Sequence, residues 1–243
     1  MDDKIEILGI EIDNLTIGQA VLKIDQMVKS SSCHQIATVN PEFLVEASRD
    51  KKFKRILNQA SLAIPDGIGL LWAAKRQKEN FLERIAGADL VMQILKKQRY
   101  SFYFLGGAPG VATKAANKLL EKYPRLKILG ATDGGLITDS NLAHQKQLIY
   151  EINKTKPDIL LVALGAPKQD KFIARWQKDL KCRVAIGVGG TFDYIAGTIP
   201  RAPHWMQKIG LEWLWRFIHE PRRIKRIFTA IIIFPYLVWT KKQ

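Results

Sequence analysis

Five short stretches of this sequence join small residues to a polar side chain where a helix should begin. They are Thr38-Val39-Asn40-Pro41, Pro65-Asp66-Gly67, Gly106-Gly107-Ala108-Pro109-Gly110, Gly165-Ala166-Pro167-Lys168-Gln169 and Gly189-Gly190-Thr191-Phe192-Asp193. Glycine lets a backbone approach a ligand closely, and a helix start offers unpaired N–H groups, so such stretches suit phosphate. Asp66 adds a carboxylate that can face the same ligand. Each residue also has a plain structural reading. Asp66 can cap the next helix, Asp193 can brace a short one, and Arg84 can be a surface charge. Lys168 and Gln169 can be ordinary exposed residues at a helix start, and Gly106-Gly107-x-x-Gly110, which departs from G-x-G-x-x-G, can be a tight turn. Five such stretches on one edge are harder to dismiss as packing than any one alone.

Several chemistries lack their residues. No D-x-D pair stands in a strand-end loop to hold a metal on a nucleotide diphosphate, and His34, His144, His204 and His219 show no ligand spacing. There is no Walker A loop and no G-x-S-x-G elbow. Neither a metal nor an organic cofactor is therefore expected. Cys33 and Cys182 fit neither a disulfide framework nor a zinc site and read as small buried hydrophobes.

The elements that must position these residues alternate short apolar runs with helical periodicity. A strand pair is expected around Gly9 and a helix over 17–28 capped by Thr16. Strands are expected at 35–39, 62–64, 101–105, 127–130, 159–164 and 183–188. Asn40-Pro41-Glu42 should start a helix, another should begin near Ile68, and further helices should lie near 87–98, 110–122, 140–155 and 167–179. The strands are continuously apolar, which implies a mostly parallel sheet covered on both faces. The fold class is α/β, a Rossmann-like three-layer domain over residues 1–195. In such a sheet ligands bind beyond the carboxyl ends of the strands, where the five stretches fall.

With 243 residues, 47% hydrophobic and 25% charged, the chain is an ordinary globular one apart from its formal charge of +15. That charge is uneven: residues 201–243 hold nine bases against two acids, and four of the six tryptophans. The apolar run Ile227 to Trp239, interrupted by Pro235, is shorter than the roughly 18 to 20 residues that span a bilayer. It suits lying on a membrane. The start Met-Asp-Asp-Lys is not followed by an apolar stretch, so no signal peptide is expected and a cytoplasmic location is. Residues 196–243 read as a helical, basic and aromatic appendage, and Ile231-Ile232-Ile233-Phe234 as a run hard to bury on a completed domain. The competing reading is a nucleic-acid-binding α/β protein, for which a basic helix is natural. An Ile/Phe/Trp run among the bases serves lipid better, so no nucleic-acid partner is expected. Self-association into a homo-oligomer stays open.

Together, Thr38-Val39-Asn40-Pro41-Glu42, Pro65-Asp66-Gly67-Ile68-Gly69, Arg84-Ile85-Ala86-Gly87-Ala88-Asp89-Leu90, Gly165-Ala166-Pro167-Lys168-Gln169-Asp170, Gly187-Val188-Gly189-Gly190-Thr191-Phe192-Asp193 and Arg201-Ala202-Pro203 resemble the WecG/TagA/CpsF glycosyltransferase family. Gly210 to Arg216 with Glu220-Pro221-Arg222-Arg223 resembles its C-terminal appendage. Asp170 stands where many members have Glu, and Ala86 where Thr or Ser is common. The resemblance implies a metal-independent inverting transferase at the inner face of the cell membrane, carrying a sugar from a UDP-sugar to an undecaprenyl-diphosphate-linked sugar. The TagA branch, nearest in motifs, moves N-acetylmannosamine onto undecaprenyl-diphospho-N-acetylglucosamine for teichoic acid linkage units. Other branches use other UDP-sugars in exopolysaccharide or common-antigen synthesis. It also implies Asp66 as general base, ligand contacts at Thr38, Asn40, Arg84 and Gln169, and a site completed at the membrane by Arg216, Arg222, Arg223 and Arg226.

The chemistry agrees with that set. Inverting transfer needs one base for the acceptor hydroxyl, and a nucleoside diphosphate leaves as a stable anion that calls for positive charge rather than a second acid. The planar fork of Arg84 suits diphosphate oxygens.

Overall fold

In a computed structural model, residues 3–221 and 224–240 are described, apart from the side chain of Lys208. Strands β1 (Lys4–Ile7) and β2 (Ile10–Asp13) form an antiparallel hairpin. Helix α1 (Ile17–Met27) opens with a capping box in which Thr16 and Gln19 satisfy each other's backbone N–H. Six further strands follow: β3 (His34–Val39), β4 (Leu62–Pro65), β5 (Ser101–Gly106), β6 (Lys127–Thr132), β7 (Ile159–Ala163) and β8 (Val184–Gly187). They make one sheet in the order β4-β3-β8-β7-β5-β6, and every pairing in it is parallel. All six carboxyl ends therefore share one edge. The expected α/β class with a parallel, covered sheet is the observed one.

Period-2 alternation divides the sheet between its two faces. Ile36, Ile64, Phe102, Phe104, Leu161 and Ile186 pack against α1, α5 (Gly87–Lys96), α6 (Val111–Lys122) and α9 (Thr191–Ala196). On the other face Leu105, Val162 and Ala185 meet α7 (Leu142–Thr155) and α8 (Lys168–Trp176). Ala37, Val39 and Ala63 meet the hairpin, α2 (Pro41–Arg49), α3 (Lys51–Gln59) and α4 (Ile68–Arg76). Full burial of each large side chain contributes about 1.5–3 kcal/mol, so both layers are tightly fixed to the sheet. Cys33 and Cys182, distant in sequence, are both buried thiols with sulfurs 3.5 Å apart.

Past α9 come α10 (His204–Lys208), α11 (Glu212–His219), α12 (Ile224–Phe228), a π turn (Thr229–Ile233) and α13 (Phe234–Thr240). Pro235 lacks the N–H that a regular helix would send to the carbonyl of Ile231, and the π turn lies at that point. The expectation that Ile231 to Phe234 resists burial is half corrected. Ile232 is 53% exposed, but Phe234 is 0% exposed, set in the core of β1, β2, α2 and α4 with its ring edge-on to Trp72 at 6.4 Å. The helical phase decides which side chain of the run finds a pocket. Farther along, Arg76 lies over the Trp239 ring at 4.0 Å. Among the described residues no helix is long and apolar enough to cross a membrane.

Candidate active site

A cleft of about 640 Å³ opens at the carboxyl edge of the sheet, between the strand-end loops and the segments after α9. It is lined by Thr38, Asn40, Asp66, Arg84, Gly107, Lys168, Gln169, Gly190, Asp193, Arg216 and Arg226. Gly106 does not line it. At φ +106°, a Cβ on Gly106 would stand 2.6 Å from the carbonyl oxygen of Ala163, and the Gly107 N–H donates to that same oxygen at 2.9 Å. This pair is a tight turn against β7. Arg222 and Arg223 lie outside the described residues.

Asp66 follows β4 but does not cap α4, whose cap position, Gly67, has no side-chain bond. Its Oδ2 accepts from the Gly87 N–H at 3.1 Å, at the start of α5. Only one oxygen is used there, and the carboxylate stays on the cleft wall. Burial pushes its pKa up to about 6; the Gly87 N–H opposes that, Glu212 and Asp89 add to it, and Arg84 offsets it. A carboxylate of that basicity is suited to taking a proton near neutral pH.

Around it, backbone and side chains fix one another. Thr38 donates its hydroxyl to the Gly187 carbonyl at 3.1 Å, and Asn40 caps α2 by accepting from Phe43. Gln169 is buried and accepts from the Gly189 N–H at 3.0 Å, tying α8 to the loop after β8. Beside it Asp170 is fully buried, with neither carboxylate oxygen in a well-formed hydrogen bond among the described residues; burial pushes its pKa up to about 7, opposed by its own backbone N–H and the nearby Gln169 and Gln35 amides. Lys168 is exposed at the rim, and Asp193 accepts from the Thr198 hydroxyl.

The arginines are not surface charges. Arg84, 20% exposed, donates to the Gln207 carbonyl at 3.0 Å and lies 4.0 Å from Glu212. Arg216, on α11, binds Glu220 at 2.7 Å and the Tyr194 hydroxyl at 3.1 Å and covers the Tyr194 ring at 4.8 Å, while its buried Nη2 has no hydrogen-bond partner among the described residues. Gly190 explains that placement: a Cβ there would stand 2.0 Å from Nη2. Arg226 pairs with Glu42 of α2. Tyr194, Glu212 and the carbonyl of Gln207 are site features that residue-type reasoning missed. The only signal for Glu212 was its place in the Gly210-to-Arg216 motif. Among the described residues, no three of His, Cys, Asp and Glu gather as a metal set would.

On its walls the cleft offers one raised carboxylate, Asp66, three guanidinium groups, those of Arg84, Arg216 and Arg226, and glycine turns, a set suited to an anionic leaving group and a hydroxyl nucleophile. Residues 5–243 match the model of the glycosyl transferase WecG/TagA/CpsF family. A Bacillus subtilis protein named N-acetylglucosaminyldiphosphoundecaprenol N-acetyl-beta-D-mannosaminyltransferase is 34% identical over 197 residues, 80% of this chain and 75% of its own length. A Staphylococcus aureus protein of the same name is 31% identical over 245 residues, 99% of this chain and 94% of its own. With a cleft of this kind and a match over nearly its whole length, the chain belongs to the WecG/TagA/CpsF family of glycosyltransferases.

Proposed function

We propose that this protein transfers N-acetylmannosamine, with inversion, from a UDP-linked donor to undecaprenyl-diphospho-N-acetylglucosamine. Asp66 takes the proton of the acceptor hydroxyl as its oxygen bonds to the anomeric carbon. The bond from that carbon to the diphosphate oxygen breaks on the opposite face, and UDP leaves with the electron pair. Arg84, Arg216 and nearby backbone N–H groups receive the developing negative charge, so the reading needs no metal. The acceptor stays in the bilayer. Phe228, Ile231, Ile232 and Tyr236 are exposed along α12, the π turn and α13 beside basic residues, which supports docking at the anionic inner face of the membrane.

The single observation that carries this reading is Asp66 on the cleft wall, held by one oxygen with its pKa raised to about 6, in a chain aligned end to end with relatives of that printed name. The test combines a panel of UDP-sugars, a short-chain prenyl-diphospho-N-acetylglucosamine acceptor and Asp66→Asn. Product mass should match N-acetylmannosamine, and the variant should bind UDP-sugar but lose about 10²- to 10⁴-fold in turnover. Near-normal turnover would remove Asp66 as the base, and preference for another sugar would reassign the donor.

A further inference from the structure

Glu212 is the first residue of α11 and lines the same cleft as Asp66 and Arg84. A helix start by itself favours a glutamate at this position. Here the side chain is 20% exposed and lies between two guanidinium groups, Oε1 at 3.5 Å from Arg201 Nε and Oε2 at 4.0 Å from Arg84 Nη1. Arg201 in turn binds Asp89 at 2.6 Å, in the first turn of α5. Charges therefore alternate from Asp89 through Arg201 and Glu212 to Arg84. Arg84 belongs to the stretch between α4 and α5, outside any helix or strand. Among the described residues its two polar contacts, Glu212 and the Gln207 carbonyl, come from beyond residue 200.

We propose that Glu212 is a positioning residue of the transfer reaction: it fixes the guanidinium of Arg84 at the cleft and sets the charge that surrounds Asp66. This rests on the function proposed above. Asp66, Arg84 and Glu212 line one cleft; the charges that bear on Asp66 are Glu212 from α11, Arg84 from the loop and Asp89 from α5, with the Gly87 N–H as a neutral donor. With Glu212 neutral, Arg84 keeps its contact to Gln207 but loses its counter-charge. Asp66 then faces one negative charge fewer and a less compensated positive one. Both changes favour its carboxylate, so it loses its proton at lower pH and is a weaker base.

The experiment measures kcat/KM against pH for the full chain, Glu212→Gln and Glu212→Asp, with a UDP-sugar donor and a short-chain lipid-diphosphate acceptor. In Glu212→Gln the acid limb should move down by about half a pH unit or more, and the donor KM should rise about tenfold. Glu212→Asp should return the limb toward its original position. An unmoved limb, with only rate or melting temperature reduced, would overturn the proposal and leave Glu212 a structural residue. Carboxyl ¹³C titration reads the same coupling without turnover. The Asp66 midpoint should fall in Glu212→Gln relative to the parent chain, and an unchanged midpoint would equally overturn the proposal. Asp66→Asn separates the two readings. Normal turnover in that variant defeats the base assignment, whereas an inactive Asp66→Asn beside an unmoved limb in Glu212→Gln defeats the role of Glu212 alone.

Discussion

Gly190→Ala should disable the site through one side chain, Arg216. The backbone at Gly190 has φ −85° and ψ 23°, angles that alanine accepts without strain. The added Cβ, however, would lie 2.0 Å from Arg216 Nη2, 2.9 Å from Cζ and 3.0 Å from Nη1. The guanidinium must move by more than about 1 Å to restore ordinary contact. Moving it gives up the Tyr194 hydroxyl bond at 3.1 Å and the placement over the Tyr194 ring at 4.8 Å. A hydrogen bond to a charged group contributes about 1.5–3 kcal/mol and a cation–π contact about 0.5–2. Water returns part of this to the displaced arginine, so the net loss should be about 2–3 kcal/mol. If the lost placement is needed in the transition state, kcat/KM should fall about 30- to 150-fold. The assay is steady-state transfer by Gly190→Ala, Arg216→Ala and the double variant. Since the damage passes through Arg216, the double variant should match Arg216→Ala, a strongly non-additive cycle. Additive losses, or a Gly190→Ala variant within about threefold of the parent, would refute the reasoning.

Three further outcomes follow from the geometry. Burial pushes the Asp66 pKa up to about 6 from the ordinary 3.8, so with its carboxylate as the base proposed above, kcat/KM should fall as pH drops through about 6; a limb midpoint below about 4.5 would mean the reacting base is not in this environment. Ile231→Ser and Ile232→Ser, at exposed positions, should each weaken sedimentation with anionic liposomes by about tenfold, and unchanged sedimentation would take this face out of membrane docking. Phe234→Ala removes a fully buried ring and should lower the opening free energy of 224–240 by about 3 kcal/mol, read as faster amide exchange confined to that helix; uniform protection there would contradict the packing described.

Much of the fold was legible because the sheet is parallel and buried. A run such as Ile159 to Leu164, followed by Gly-Ala-Pro-Lys, announces a strand, a turn and a helix start with little ambiguity. The candidate site was legible to the extent that it lies at those strand ends, as Asp66 and Gln169 do. Other roles depended on distance in the fold. Asp66 caps α5, 21 residues on, instead of the adjacent α4, and nothing local in the sequence distinguishes the two. Gly190 reads as a phosphate turn until Arg216, far along the chain, is found in the volume of its missing side chain. Phe234 looks like its exposed neighbours because hydrophobicity alone does not carry helical phase through a π turn.

That π turn gives the last helix two working directions along a single rod. Each residue inserted or removed rotates everything beyond it by about 100° about the axis. The turn at Thr229–Ile233 therefore acts as a phase adjuster: before it, the rod's spacing serves one surface, and after it Phe234 and Val238 point into the core. Deleting Thr229, which removes no apolar side chain, would turn those two anchors outward. The length of this stretch is thus under tighter constraint than its amino-acid identities.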